Sequence, residues 1–465
     1  MFSEAIPDVI VLVPGILGSV LQEDGKDVWA ISGSGIARAL ETHWGSIQRL
    51  ALKGDSDKDD LGDQVTAPRL INDVHLIPWL WKIDGYTRIR RAIATSFQDV
   101  VEGVNFFDFP YDWRRDNRVA ARRLQKESAK WLESRRKTAG NDKAKLILIC
   151  HSMGGLVARY FLEVLGGWRD TAALITFGTP YRGSLNAVNF IANGMKKKLG
   201  PVPILDLSNL LRSFTSVYQL LPIYPCHDEG NGMVRVKDAR KIPFLDPARA
   251  QAALRFHDEI RTAVEDNLKD DAYLKQRYFI HPVVGTRQPT LQSSQFTGKF
   301  EMLQSYHGSD MDGDGTVPRV SATPIEIEKE KREVFVAEVH GSIQNSPAVW
   351  AHVESVLRNA RLDLGIFKEV SDLPVKEVQL GLSIEDLYES GESIRVRARP
   401  DQAGVILQAE LADVDGLRTL NQVMKPDADG WHETEFPPQP EGVYRIRVFG
   451  DQGVCAVRDV FAVSG

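Results

Sequence analysis

Two hydrophobic rhythms divide the chain. From residue 8 to about 180, short continuous apolar runs alternate with stretches whose apolar residues recur every three or four positions. The runs Val9–Val13, Val104–Phe109, Leu146–Cys150 and Ala172–Phe177 read as strands buried on both faces. Tyr86–Phe97, Arg118–Arg136 and Leu156–Leu165 between them read as helices, the first with a basic face of Arg88, Arg90 and Arg91. Alternation of this kind predicts a parallel sheet with helices on both faces. The rhythm breaks between about Tyr181 and Tyr278, a stretch that predicts a mostly helical cap inserted into the body. Phe279–Thr286, Phe300–Tyr306 and Glu333–Val339 return to strand, and Asn345–Arg358 closes the body as a helix. After about Asp372 apolar and polar residues alternate with period two, as in Gly391–Ala398 and Gly442–Val448. Gly404–Leu411 and Cys455–Val463 are further strand candidates, and turn signals such as Pro426–Gly430 separate the runs. About 95 residues of this kind predict an immunoglobulin-like β-sandwich. The expected organisation is an α/β unit over 1–370, with its cap at about 181–278, followed by an all-β accessory unit over 371–465.

The run Leu146–Cys150 leads directly into His151-Ser152-Met153-Gly154-Gly155. A serine on a sharp strand-to-helix turn stands clear of the sheet, and the crossing of strand and helix demands small neighbours. Gly154 is one of them, while Cys150 occupies the position two before the serine where a glycine is usual. A plain helix N-cap is the competing reading of Ser152. A second glycine-rich turn, Pro14–Ser19, follows the first strand, where a backbone N–H can face a reacting carbonyl; Ile16 or Leu17 would supply it. A serine hydroxyl needs a histidine base, itself held by an acid. His340 ends a late strand at a glycine, unlike His281, which opens one, or His352, which lies inside a helix. Asp310, Asp312 and Asp314 stand between Ser152 and His340, and Asp314 is the preferred acid with Asp312 as the alternative. The same spacing opens a calcium loop, but Ser321 stands where that loop requires a glutamate, so no metal is expected. Tyr111-Asp112-Trp113-Arg114 at a strand end suggests a buried ion pair bracing this region.

Composition narrows the classes. A net charge of −6 and a pI near 6.0 leave no nucleic-acid footprint. No run of 18 apolar residues is present, and Met1–Pro7 lacks the basic and apolar regions of a signal peptide, so a cytoplasmic protein, peripheral to membrane at most, is expected. Three widely spaced cysteines argue against disulfides and zinc. Trp79-Leu80-Trp81 is either an interfacial patch or core, and Lys196-Lys197-Lys198 is a local basic run.

Pro14–Ser19, Tyr111–Arg114, His151–Gly155, Gly178-Thr179-Pro180 with Gly183-Ser184, and Gly313–Pro318 occur in one order. Together they resemble the lecithin:cholesterol acyltransferase family, which includes phospholipases and phospholipid:diacylglycerol acyltransferases. The resemblance spans about residues 8 to 360 and implies an α/β-hydrolase fold acting on lipid acyl esters without a cofactor. It implies Ser152 as nucleophile, Asp314 as acid and His340 as base, with oxyanion donors at Met153 and the Ile16 region. Leu17, Tyr111, Trp113 and Tyr181 are the expected substrate contacts. Secreted members of the family carry disulfides, and this chain has no evident pair.

Overall fold

The computed structural model describes residues 6–29, 47–72, 75–77, 81–139, 142–199, 202–327, 333–359, 378–414, 418–451 and 454–464. Six strands make the main sheet: β1 (Val9–Val13), β2 (Phe106–Asp108), β3 (Leu146–His151), β4 (Thr171–Phe177), β5 (Phe279–Gly285) and β6 (Val334–Val336). Their spatial order is β6-β5-β4-β3-β1-β2, and every neighbouring pair is parallel. β1 and β3 are buried at every position, as continuous apolar runs require when both faces are covered. The chain leaves β1 toward one edge and returns to β3 on the other side. That reversal opens a crevice at the carboxyl ends of β1 and β3, where doubly wound sheets bind ligands. Pro14–Ser19 and Ser152 follow those two strand ends.

The body helices are α1 (Thr87–Ser96), α2 (Asn117–Ala139), α3 (Gly154–Arg159) and, near the end of the body, Pro347–Asn359. Sequence periodicity predicts one helix over Leu156–Leu165. The structure instead shows the short α3 running into a π-helical turn, Tyr160–Val164. Arg159 and Glu163 are both buried there and pair at 2.9 Å, with Tyr273 and Tyr278 also donating to the Glu163 carboxylate. Widened turns of this type recur near functional sites.

Between β4 and β5 lie α4 (Leu185–Ala192), α5 (Ser208–Ser213), α6 (Thr215–Gln219), α7 (Pro247–Asn267) and α8 (Asp271–Gln276). This stretch is less helical than expected. Lys196–Leu199 and Val202–Asp206 pair as an antiparallel hairpin, so the lysine run lies on a strand; the side chains of Lys196, Lys197, Lys198 and Leu205 are outside the described residues. Phe300–Leu303 is a strand, but it joins a small four-stranded sheet with the segments at 227–228, 233–234 and 293–296 rather than the main one.

The C-terminal region forms two further sheets. One orders β7 (Leu380–Ser383), β9 (Ile394–Pro400), β13 (His432–Phe436) and β12 (Lys425–Pro426). The other orders β8 (Leu387–Glu389), β15 (Val457–Ser464), β14 (Gly442–Gly450), β10 (Leu407–Asp413) and β11 (Thr419–Val423). All these pairs are antiparallel except β8 with β15. Ile394, Val396, Ala398, Leu407, Ala409 and Ile446 point into a core of their own between the sheets. Trp79 and Leu80 lie outside the described residues, as does the Trp81 side chain. The Trp81–Ile83 strand pairs with His75–Ile77, which runs beside β15. Among the described residues no helix is long and apolar enough to cross a membrane. The parallel sheet, its flanking helices and cap, and the added antiparallel sandwich make this an α/β-hydrolase fold with an all-β extension.

Candidate active site

Ser152 sits between β3 and α3 with φ of 51°, in the left-handed region that L-residues seldom adopt. Its N–H donates to the Phe177 carbonyl on β4 at 2.8 Å, and its carbonyl accepts from Thr179 Oγ1 at 2.9 Å. Those bonds and the sharp turn hold a strained residue in place. The crossing is tight: a Cβ on Gly155 would lie 2.1 Å from Thr179 Oγ1. Thus the Gly-Thr-Pro segment after β4 and the Gly-Gly pair of the turn are two sides of one contact. Cys150 is fully buried on β3, where burial pushes its thiol well above the ordinary range.

His340 follows β6 and stands over Ser152. Its Nδ1 is 2.7 Å from Asp314 Oδ2 and its Nε2 is 2.9 Å from Ser152 Oγ. A carboxylate only accepts, so Nδ1 carries the proton and Nε2 accepts from the Ser152 hydroxyl. All three side chains are buried. The Asp314 carboxylate is fixed from behind, since Oδ1 accepts the amides of Thr316 and Val317 at 2.9 and 2.7 Å. Gly178 has φ of 53°, and a Cβ there would meet Asp314 Oδ2 at 2.6 Å and His340 Nδ1 at 2.9 Å. Asp312 faces elsewhere: its Oδ1 accepts the amides of Arg287 and Gly313. Asp310 Oδ1 accepts from the Gln292 side chain and the Asp312 amide. The arrangement can take the proton from Ser152 as its oxygen attacks an electrophile and hold the imidazolium that results.

Two residues not anticipated as site residues complete the setting. His151 Nε2 donates to the His340 carbonyl at 3.0 Å, because a carbonyl can only accept. Its Nδ1 therefore accepts from the Tyr86 hydroxyl, also at 3.0 Å, and that hydroxyl in turn accepts the Gly15 amide at 3.0 Å. One chain of hydrogen bonds so links the Pro14–Ser19 turn, the serine strand and the backbone of His340. A histidine inside an otherwise apolar strand was the available signal. Burial pushes the His151 imidazole down to about 3, with the nearby His340 ring adding to the effect. A group that binds its proton less well when folded gives stability that is complete above its ordinary value of 6.5 and is lost as pH falls toward 3. Wild type should therefore lose more denaturant resistance between pH 7 and pH 5 than His151→Gln does. Equal losses would mean that His151 is not held neutral. Glu338 and His257 also titrate abnormally, but both are present in the two proteins and cancel.

The Pro14–Ser19 turn faces Ser152 from β1. Gly18 N–H donates to the Gly15 carbonyl at 3.1 Å, making Ile16 and Leu17 the central residues, and Leu17 has φ of 63°. A β-turn normally places glycine there. Trp29 Nε1 holds the Leu17 carbonyl at 3.1 Å. Met153 leads into α3, where the first amides have no acceptor within the helix. Ile16, Leu17 and Ser152 line one narrow slot with Pro180, Phe190, Leu211, Val217 and Val317. Its volume is about 30 Å³, room for roughly one water, whereas small-ligand pockets run to about 300–1,000 Å³. Phe190 of α4, Leu211 of α5 and Val217 of α6 close the slot on the cap side. Tyr111 and Trp113 do not line this slot. The Tyr111 hydroxyl donates to the Pro14 carbonyl at 3.0 Å and Trp113 Nε1 to the Ser19 carbonyl at 2.9 Å, so both grip the turn from behind. Between them Asp112 pairs with the buried Arg114 guanidinium at 2.6 Å. Tyr181 donates to Thr176 Oγ1 at 3.0 Å and borders a separate cavity of about 450 Å³ under α7.

Comparison with curated proteins finds no match. Among solved structures, the Bacillus licheniformis lipase BlEst2 in its propeptide form is similar at 15% identity and a TM-score of 0.31, over 95% of this chain and 71% of that one. The mature form of the same lipase is similar at 14% identity and a TM-score of 0.32, over 75% of this chain and 91% of that one. The sequence model of the lecithin:cholesterol acyltransferase family matches residues 100–354, more than half of the chain, and the chain therefore belongs to that family.

Proposed function

We propose that the protein is a serine lipase or phospholipase, with Ser152 as nucleophile, His340 as base and Asp314 as the acid that orients it. The unbroken hydrogen-bond line from Ser152 to His340 to Asp314 at the floor of an apolar slot carries this reading. Ser152 Oγ attacks the ester carbonyl while its proton passes to His340 Nε2. The amides of Met153 and of Ile16 or Leu17 receive the oxyanion. The tetrahedral adduct then expels the alcohol, which takes the proton back from His340, and leaves acyl-Ser152. Water, deprotonated by His340, attacks that ester, releases the acid and restores the serine. Attack by a second alcohol at this point makes the same enzyme an acyltransferase, the other activity its family supports. The reading includes a catalytic unit over 1–370 capped by 181–278, an accessory unit over 371–465, no cofactor, and a cytoplasmic location peripheral to membrane at most.

A fluorophosphonate probe should label Ser152, located by peptide mass spectrometry, and Ser152→Ala should abolish labelling. Lipid esters offered with and without a long-chain alcohol separate the two fates: free acid alone marks a hydrolase, and a new ester marks a transferase. An unlabelled protein with no ester turnover would make it a binding protein on a hydrolase scaffold. The slot makes a further prediction. Leu211→Ala should raise kcat/KM for long-chain over short-chain p-nitrophenyl esters by about 5–30-fold, as expected for roughly 1–2 kcal/mol of relieved crowding. An unchanged ratio would place the acyl chain elsewhere.

A further inference from the structure

The sandwich has no chemistry of its own in the reading above, yet its side chains reach the loops that carry His340 and Asp314. Glu338 lies two residues before His340 and has no exposed surface. Its Oε1 meets the Arg458 guanidinium of β15 at 2.8 Å, and its Oε2 accepts the Arg458 amide at 3.2 Å. On the other side of His340, the Gly341 carbonyl accepts the Asp84 amide at 2.9 Å. The buried Asp84 carboxylate accepts from Arg445 Nε of β14 at 2.9 Å, with Arg88 at 3.7 Å. Gln344 and Asn345 tie the same loop to the carbonyls of Asp84 and Gly85. The acid loop has its own link. The Gln288 amide donates to the Gly313 carbonyl, next to Asp314, while the Gln288 side chain accepts the Leu382 amide at 3.2 Å and donates to the Leu380 carbonyl at 3.3 Å. β7 comes so close that a Cβ on Gly381 would lie 2.7 Å from the Arg287 carbonyl.

We propose that the C-terminal sandwich is a positioning element of the active site, in which Arg458 acting through Glu338, and Arg445 acting through Asp84, hold the loop that carries His340. This rests on the assignment of Ser152, His340 and Asp314 made above. Stability alone does not call for buried charge pairs here, since apolar residues would serve as well. Burial drives the Glu338 carboxyl up to about 7 even with Arg458 beside it. Without that guanidinium the carboxyl keeps only the Ser346 hydroxyl as a side-chain donor and must take a proton or move, and a move carries the segment leading to His340 with it. The His340 ring has to stay within a few tenths of an ångström of its partners, and an error of about 1 Å is worth about a hundredfold in rate.

The test compares Arg458→Met, Arg458→Lys and Arg445→Met with wild type in the full chain. Arg397→Met is the control, because Arg397 pairs with Glu433 and stacks over Trp431 within the sandwich. Rates are expressed per fluorophosphonate-labelled Ser152, so that unfolded molecules do not count. Arg458→Met should lower kcat at least about 10-fold with KM within about twofold, the pattern of a lost transition-state arrangement rather than lost binding. Its acid limb in kcat/KM, which reports the base, should shift, Arg458→Lys should recover part of the rate, and Glu338→Gln added to Arg458→Met should do the same by removing the unpaired carboxylate. Arg445→Met should show a smaller loss of the same kind, and Arg397→Met none. Unchanged kcat per labelled site and an unshifted pH profile in every variant that folds would overturn the proposal. So would failure of all three arginine variants to fold, which would make the sandwich a folding requirement only. A wild-type protein that is not labelled at Ser152 would instead refute the underlying assignment.

Discussion

Ser152→Ala is expected to lower kcat on the protein's own ester substrate by at least about a thousandfold, the scale seen when a member of a serine–histidine–acid set is removed. KM should change little, since the slot walls of Ile16, Leu17 and Leu211 are untouched. The fold should survive as well. An alanine at 152 can keep φ near 51°, because the donor to Phe177 and the acceptor for Thr179 are backbone atoms. A thermal melt close to that of wild type, together with lost turnover, is the expected pair of results. Near-native turnover by the folded variant would place the nucleophile elsewhere.

Asp314→Asn should be the more severe of two matched substitutions, losing about ten-thousandfold in kcat, whereas Asp312→Asn should stay within a few-fold of wild type. An amide at 314 can present its NH₂ to His340 Nδ1, which moves the ring proton to Nε2 and leaves no acceptor for the Ser152 hydroxyl. The amides of Thr316 and Val317 hold the other oxygen at this position, so an asparagine keeps its oxygen toward them and its NH₂ toward His340. Asp312 offers the contrast, because its Oδ1 only accepts the amides of Arg287 and Gly313, and an asparagine oxygen can do the same. Initial rates for both variants, with melting curves to exclude unfolding, decide the matter. A larger loss at 312 than at 314 would reverse the assignment of the acid.

Much of this architecture is readable along the chain, for reasons that are local. β1, β3 and β4 are continuous apolar runs because a strand covered on both faces has no polar side to show. The sandwich strands alternate because successive side chains point to opposite faces, as Ile394, Arg395 and Val396 do. The turn at Ser152 declares itself through small residues, since strand and helix nearly touch there. The serine, acid, histidine order, with His340 at the end of a late strand, narrows the set to Ser152, His340 and an acid at 314 or 312, and the fold brings Ser152, His340 and Asp314 within hydrogen-bond distance.

What the one-dimensional pattern leaves open is decided by contacts between residues far apart in the chain. Tyr111 and Trp113 look like pocket aromatics until the fold turns their polar atoms to the Pro14 and Ser19 carbonyls. Asp312 and Asp314 share a loop and a side-chain type, and only the direction each carboxylate faces tells them apart. The link from Tyr86 through His151 to the His340 backbone, and the grip of Arg445 and Arg458 on the loops of the body, join residues separated by 65 to 361 positions. Periodicity and turn chemistry report what each segment needs from its own neighbours in sequence. A hydrogen bond between a buried donor and a buried acceptor depends on where two unrelated segments come to rest, and packing of the whole chain alone determines that.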